Sequence, residues 1–341
     1  MKLSDVWMCF VILALTMYIV LDGYDLGIGT LTLLDRDPRR RREMHTLVAW
    51  MWDGNESWLV LLALTLWAGV PVVAGIALPA LYVPLMLMLF SLILRGVAIE
   101  IIDQHRDWHP VWGRVFGIAS LMAGFCQGAA FGGLVAGFNV HRTAFTGGPF
   151  TFLHHGYAIL TGLTAVALYV LAGSAWLYHR TEGETQARAA RTGRVATVAL
   201  GAGSLASWLL ASAAGPLTLH PGATPRLAIW IPGAVILLAG LGFALRFFST
   251  NLRARGRSDW SPVFAAGAVY GGGLLLAAGL LYPMLVPPHV TVHSAASPYS
   301  SLLFLTIGVG VFIPVILAYQ AYGYWVFRGK LEINQQEEAT A

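Results

Sequence analysis

Apolar residues run along this chain in stretches long enough to cross a bilayer, broken by short clusters of arginine, proline and glycine. A helical crossing needs about 20 such residues. Runs of that kind predict helices over 6–33, 47–69, 72–98, 112–138, 154–178, 195–213, 227–248, 261–283 and 301–327. Only the turn around Gly69 to Pro71 separates the second from the third, which predicts a tight hairpin. The first run is too long for a cleaved signal; Asp22 and Asp25 interrupt it, and no small-residue cleavage site follows. The fold class predicted is an all-α polytopic membrane protein of about nine transmembrane helices.

Composition narrows this further. Of 341 residues, 57% are hydrophobic and 11% charged, too few charges to cover a soluble globule and too much apolar content for disorder. The only two cysteines, Cys9 and Cys126, sit in apolar runs and offer neither a disulfide framework nor a metal site. The net charge of +4 and pI near 9.2 invite a nucleic-acid reading until the basic residues are located. Seventeen of the 21 fall on one side of the nine spans: Arg36 and the run Arg39 to Arg42, Arg106 and Arg114, Arg180, Arg188, Arg191 and Arg194, Arg246, Arg253, Arg255 and Arg257, then Arg328 and Lys330. Lys2, Arg142 and Arg226 fall on the other, and Arg95 lies near the end of a span. This asymmetry predicts an N-terminus outside and a C-terminus in the cytoplasm. The basic balance therefore reports topology and anionic-lipid contact, and no nucleic-acid partner is expected.

Ionisable side chains inside a span cost several kcal/mol by insertion scales, so each needs a reason. Asp22 and Asp25 stand in Leu21-Asp22-Gly23-Tyr24-Asp25-Leu26-Gly27-Ile28-Gly29, and Asp53 and Glu56 in Trp52-Asp53-Gly54-Asn55-Glu56-Ser57-Trp58-Leu59. Each pair is spaced i, i+3, which predicts two carboxyls on one helix face. All four are expected in the cytoplasmic half of the membrane. Two readings stand: a proton entry route, or interhelical hydrogen bonds that hold the helices together. Arg95 lies five residues before Glu100, a poor helical spacing for a charge pair; it reaches the acids of the first two helices or snorkels to the interface.

Histidines bear on a different question, since a membrane haem needs His or Met ligands facing each other at depth. His45, His105, His109 and His179 fall in or beside cytoplasmic loops, and His141, His220, His289 and His293 in external ones. His154 and His155 are the remaining metal candidates, at the outer mouth of the fifth span, where interfacial solvation competes with ligation. No facing pair emerges, so no redox centre is expected on this chain. Trp7, Trp108, Trp112, Trp260, Tyr324 and Trp325 read as interfacial belt residues. The glycines of the fourth span (113, 117, 124, 128, 132, 133, 137) and of the eighth (267, 271, 272, 273) read as close helix contacts. His155-Gly156-Tyr157 faintly echoes Asp22-Gly23-Tyr24, and Ser207-Trp208-Leu209 echoes Ser57-Trp58-Leu59, which would divide the chain into two four-helix halves and a ninth helix.

The two acidic motifs together resemble subunit II of the cytochrome bd-type quinol oxidases. That family typically shows Asp-Gly-Phe-Asp-Leu-Gly-Val-Gly at the end of its first helix and Trp-Asp-Gly-Asn-Glu/Gln-x-Trp-Leu in its second. Leu94-Arg95-Gly96, Tyr282-Pro283-x-x-Val286-Pro287, Pro314-x-x-Leu317-x-Tyr319 and Tyr322-x-Tyr324-Trp325 extend the similarity over essentially the whole chain, and its short loops resemble the cyanide-insensitive subgroup. Tyr24 stands where the family commonly has Phe, and Glu56 where it allows Glu or Gln.

The resemblance implies a heterodimer with a haem-bearing subunit I that carries haem b and haem d and the quinol site, with small accessory subunits and lipids as further partners. It implies quinol oxidation and reduction of O2 to water, with protons taken from the cytoplasm, in a bacterial inner membrane. No haem is expected on this chain itself. It also implies two four-helix bundles plus one peripheral helix: 1–138 as the first bundle, 139–153 an external loop, 154–283 the second bundle, and 284–341 an external loop, ninth helix and tail. Asp22, Asp25, Asp53 and Glu56 become the proton-pathway residues, with Arg95 and Glu100 as charge partners. A proton-coupled secondary transporter is the alternative; such proteins commonly carry interrupted helices in both halves, whereas the acids here lie in one.

Overall fold

A computed structural model describes residues 2–105, 109–141, 144–213, 227–252, 259–287 and 290–326, without the side chains of His154, His155 and Ala213. The sequence features at Arg106, Trp108, Arg142, His220, Arg226, Arg253, Arg255, Arg257, His289, Arg328 and Lys330 lie outside the described residues.

The helices in chain order are α1 (Leu3–Thr32), α2 (Pro38–Ala49), α3 (Trp52–Gly69), α4 (Pro71–Ala80), α5 (Tyr82–Asp103), α6 (Pro110–Ala136), α7 (Tyr157–Arg180), α8 (Gly183–Ala213), α9 (Leu227–Thr250), α10 (Ser261–Leu281) and α11 (Tyr299–Val326). Two short antiparallel hairpins, Val140–His141 with Ala144–Phe145 and Met284–Val286 with Val290–Thr291, lie in the connections. Among the described residues eight helices are long and apolar enough to span a membrane, or nine if α3 and α4 count as one bent span. The all-helical, many-spanning fold is as predicted.

The third predicted span, 72–98, is not one helix. Pro71 forces Val70 out of helical conformation, and α4 leaves α3 at 119° instead of folding back as a hairpin. Pro84 then denies the amide and crowds the carbonyl four residues earlier, so α4 ends at Ala80 and a new helix, α5, runs on to Asp103. The second predicted span also splits. Its first residues belong to α2, which is capped by Asp37 accepting from the Arg39 amide and carries the arginine run on a helix outside the spans. The predicted sixth span starts twelve residues early, so Arg188, Arg191 and Arg194 stand on helix α8 and not in a loop.

α1 packs against α3, α6 and α7, α6 lies between α5 and α7, α8 follows α7, and α9 pairs with α10; α11 rests on α1 and α3. The α1–α7 crossing is closest at Gly27 and Gly173. A Cβ on Gly173 would stand 2.6 Å from the Ile28 amide, and one on Gly27 would strike the Tyr169 carbonyl, so only glycine admits this approach. Gly128 does the same on α6 against α7, 2.5 Å from the Thr161 carbonyl. Of the α10 glycines 267, 271, 272 and 273, Gly272 meets a neighbour, at Leu237, while the other three face open space. The first of the two internal echoes differs in local geometry: Gly156 is a left-handed residue (φ 69°) at the start of α7, whereas Gly23 lies inside α1.

Among the described residues, the connection after α1, the end of α5 and the start of α8 meet at one end of the molecule. Asp35 is buried there and accepts two 2.8 Å bonds from Arg40, while Arg188 of α8 stands 3.9 Å away. Burial opposes the Asp35 charge, but the Arg40 bonds, the Asp37 amide and the two arginine charges outweigh it and hold the carboxyl below the usual carboxylate range. Arg42 donates to the Ile102 carbonyl at 2.5 Å, and Thr185 to Glu43 at 2.6 Å. His45, read from sequence as a loop residue, is fully buried on α2 with Nε2 3.2 Å from the Ile99 carbonyl. Desolvation, with the Arg42 charge adding to it, pushes its imidazole down to about 4. At the opposite end Trp7 is not a belt residue; it is buried and donates to the Thr65 carbonyl at 3.0 Å.

Candidate functional site

α1 brings Asp22 and Asp25 into the interior one turn apart, both at most 1% exposed. α5 supplies Arg95, also fully buried, and α3 supplies Glu56. A single Arg95 nitrogen, Nη2, donates to Asp22 Oδ1 at 2.6 Å and to Glu56 Oε1 at 2.7 Å, tying three helices together. Arg95 therefore reaches the acids of the first two predicted spans and does not snorkel.

Asp25 is held by another set. Asn55 Nδ2 donates to Asp25 Oδ2 at 2.7 Å, and Asn55 Oδ1 accepts from Gln320 at 2.8 Å and from Tyr324 at 3.1 Å. The Tyr24 and Tyr324 hydroxyls share a 2.8 Å bond. A third strand of polar groups links α1, α6 and α7: Tyr169 Oη donates to Gln127 at 2.5 Å and Gln127 to Tyr18 Oη at 2.6 Å. A crevice of ≈ 30 Å³ is lined by Tyr24, Tyr324, Thr46, Trp50 and Arg180. That is room for one or two water molecules.

Two predicted site residues do not join. Asp53 is exposed in the first turn of α3, and Glu100 is exposed on α5. The i, i+3 spacing was an incomplete guide. With Asn55 turned inward, Asp53 two residues earlier is rotated by about 200° and points out. Glu100, five residues from Arg95, is likewise about 140° away round its helix. The site residues the sequence reading passed over are Tyr18, Gln127, Tyr169, Gln320 and Tyr324. Their signal was a glutamine inside an apolar run at 127 and again at 320; Tyr324 had been read as a belt residue.

Two histidines are buried among the described residues, His45 and His179. His45 is engaged by the Ile99 carbonyl, and His179 is stacked on Trp260 with ring centroids 3.9 Å apart. No group of three or more His, Cys, Asp or Glu that could hold a metal ion occurs among the described residues.

The profile of the cytochrome bd terminal oxidase subunit II family matches residues 3–327. The chain belongs to that family. Among its relatives, the cytochrome bd-I ubiquinol oxidase subunit 2 of Escherichia coli strain K12 is 29% identical over 99% of this chain and 97% of its own length. The cytochrome bd ubiquinol oxidase subunit 2 of Bacillus subtilis strain 168 is 28% identical over 97% of each. A chain of the bd oxidase from Geobacillus thermodenitrificans superposes with a TM-score of 0.70 over 96% of this chain and 99% of its own, at 11% identity, and so shares the fold. Family and spans together make this a multi-pass protein of a bacterial inner membrane and a subunit of a haem-dependent terminal oxidase complex, an oxidoreductase. As a subunit II it acts beside another subunit.

Proposed function

We propose that this chain is the subunit of a quinol-oxidising complex that ligates no haem itself and supplies protons for the reduction of O2. The reaction balances as two quinols giving two quinones, four electrons and four protons, with O2 taking four electrons and four protons to form two waters. Electron transfer belongs to haems b and d on a haem-bearing subunit I, which also holds the quinol site. This chain's part is the proton side and assembly.

The observation that carries the reading is the buried set Asp22–Arg95–Glu56 with Asp25 one turn away. It holds one cation and three carboxyl groups, so only bound protons bring it to neutrality in a medium that resists net charge. Water in the crevice meets the Tyr24–Tyr324 hydroxyls, Asn55 joins these to Asp25, and Asp22 follows on the same face of α1. Asp53, exposed one turn before Glu56, borders this route. The arginine-rich end faces the cytoplasm by the positive-inside rule, which makes it the side of proton uptake and leaves the N-terminus outside.

The test is quinol-driven O2 consumption by the purified complex, with its haem absorption recorded in parallel. Asp25→Asn lowers turnover about tenfold or more, the loss that follows removal of a proton-transferring group, while the haem spectrum is kept, whereas Glu56→Gln, which installs the other residue the family allows there, lowers it less. Full turnover in Asp25→Asn overturns the proton reading. Purification of the chain without any haem-bearing partner overturns the complex.

A further inference from the structure

The second half of the chain carries a surface feature unrelated to the buried acids. On α8, Arg191, Arg194, Val195, Val198 and Ala199 follow one another at helical i, i+3, i+4 spacing and form a single exposed face. Leu252, just past the end of α9, closes the other wall of a hollow of ≈ 610 Å³. Its two ends differ in chemistry. The guanidinium end lies beside the arginine-bearing connections, where Arg188 stands 3.9 Å from Asp35. Arg191 shares Glu184 at 3.9 Å, and Arg194 has no carboxylate partner among the described residues. The other end is apolar and open: Val195 is 69% and Val198 56% exposed on a helix apolar enough to span the bilayer.

We propose that this groove binds one anionic phospholipid, its phosphate on Arg191 and Arg194 and an acyl chain along Val195, Val198 and Ala199. Depth supports this. Eight residues of helix place Ala199 about 12 Å below Arg191, deeper than the headgroup layer, which is roughly 5–8 Å thick on each side of a bilayer. A ligand filling the groove therefore has an anionic head and an apolar tail. A free phosphate lacks the tail, and a zwitterionic head brings its own cation against two guanidinium groups. Nothing in this site touches the Asp22–Arg95–Glu56 cluster, so the two proposals stand or fall separately.

The experiment is native mass spectrometry of the detergent-purified complex titrated with phosphatidylglycerol or phosphatidylcholine. The unaltered protein holds phosphatidylglycerol about tenfold to thirtyfold more tightly, the factor expected for two arginines at a lipid surface. The double variant Arg191→Gln/Arg194→Gln loses that preference, while Arg114→Gln, which removes an exposed charge elsewhere, keeps it. Val198→Trp fills the groove and expels the lipid with both arginines intact, and decides the matter if the double variant does not fold. Unchanged retention in the double variant overturns the proposal. So does equal competition by inorganic phosphate, which marks a simple anion site. Capture of a polypeptide by a photo-crosslinker at Val198 overturns it too, by showing another subunit's helix in the groove.

Discussion

Replacing Arg95 by Gln separates two accounts of the buried cluster. If the Asp22–Arg95 contact is an ion pair, the variant leaves Asp22, 1% exposed, without its cation. Breaking a buried pair from one side costs about 3–5 kcal/mol. If the contact is only a neutral interhelical hydrogen bond, membrane double-mutant cycles place it near 0.6 kcal/mol and at most about 1.7. The two ranges do not overlap. Bond lengths of 2.6 and 2.7 Å from one nitrogen, with no exposure at Arg95, favour the larger. Glu56, with its side chain 20% exposed, is partly screened and contributes the smaller share. The assay is unfolding in mixed micelles at increasing SDS fraction, for Arg95→Gln, Asp22→Asn and the double variant. Arg95→Gln should lose about 3 kcal/mol or more, and the cycle should give a coupling above about 1.7 kcal/mol. A coupling within the neutral range, at or below about 1.7 kcal/mol, would refute the ion pair and leave a hydrogen bond between neutral groups.

Two further outcomes follow from the fold. Gly173→Ala places a methyl 2.6 Å from the Ile28 amide, and since backbone cannot yield as a side chain can, thermal unfolding should show a loss of at least about 1–3 kcal/mol, whereas Gly271→Ala, in open space, should show none. His45 holds its proton only near 4 in the folded chain against 6.5 when unfolded, so acid favours unfolding: stability is full above about pH 6.5 and falls by about 3 kcal/mol as pH drops toward 4. His45→Gln should remove that component from the pH profile; an unchanged profile would assign the acid sensitivity to Asp35 and its neighbours instead.

The sequence reading succeeds where one residue's chemistry is decisive and falters where rotation round a helix decides. Aspartate at 22 and 25 in an apolar run has few uses, and the buried cluster is where they went. Asp53 sits in an equally specific motif yet faces outward, because α3 turns Asn55 and Trp58 inward and a two-residue step reverses direction. Proline was legible at 71 but not at 84: the turn at Gly69 to Pro71 was read, whereas the break it shares with α4 depends on an amide missing four residues past the helix end. Tyr324, Gln320 and Gln127 were hidden by separation. Asn55 and Gln320 are 265 positions apart, and no local pattern announces that α11 returns against α1 and α3.

The Arg95 junction also bears on how the chain is made. Asp22 and its cation are 73 positions apart, so at about 5–20 residues per second Asp22 is made some 4–15 s before Arg95 supplies the guanidinium. Until then two carboxyls must wait in a helix whose insertion each of them opposes by about 2.5–3.5 kcal/mol. Neither α1 nor α5 is at ease in lipid alone. Release of the early helices from the insertion machinery is thus coupled to the arrival of the third partner, and a nascent chain stopped before Arg95 should remain at the translocon.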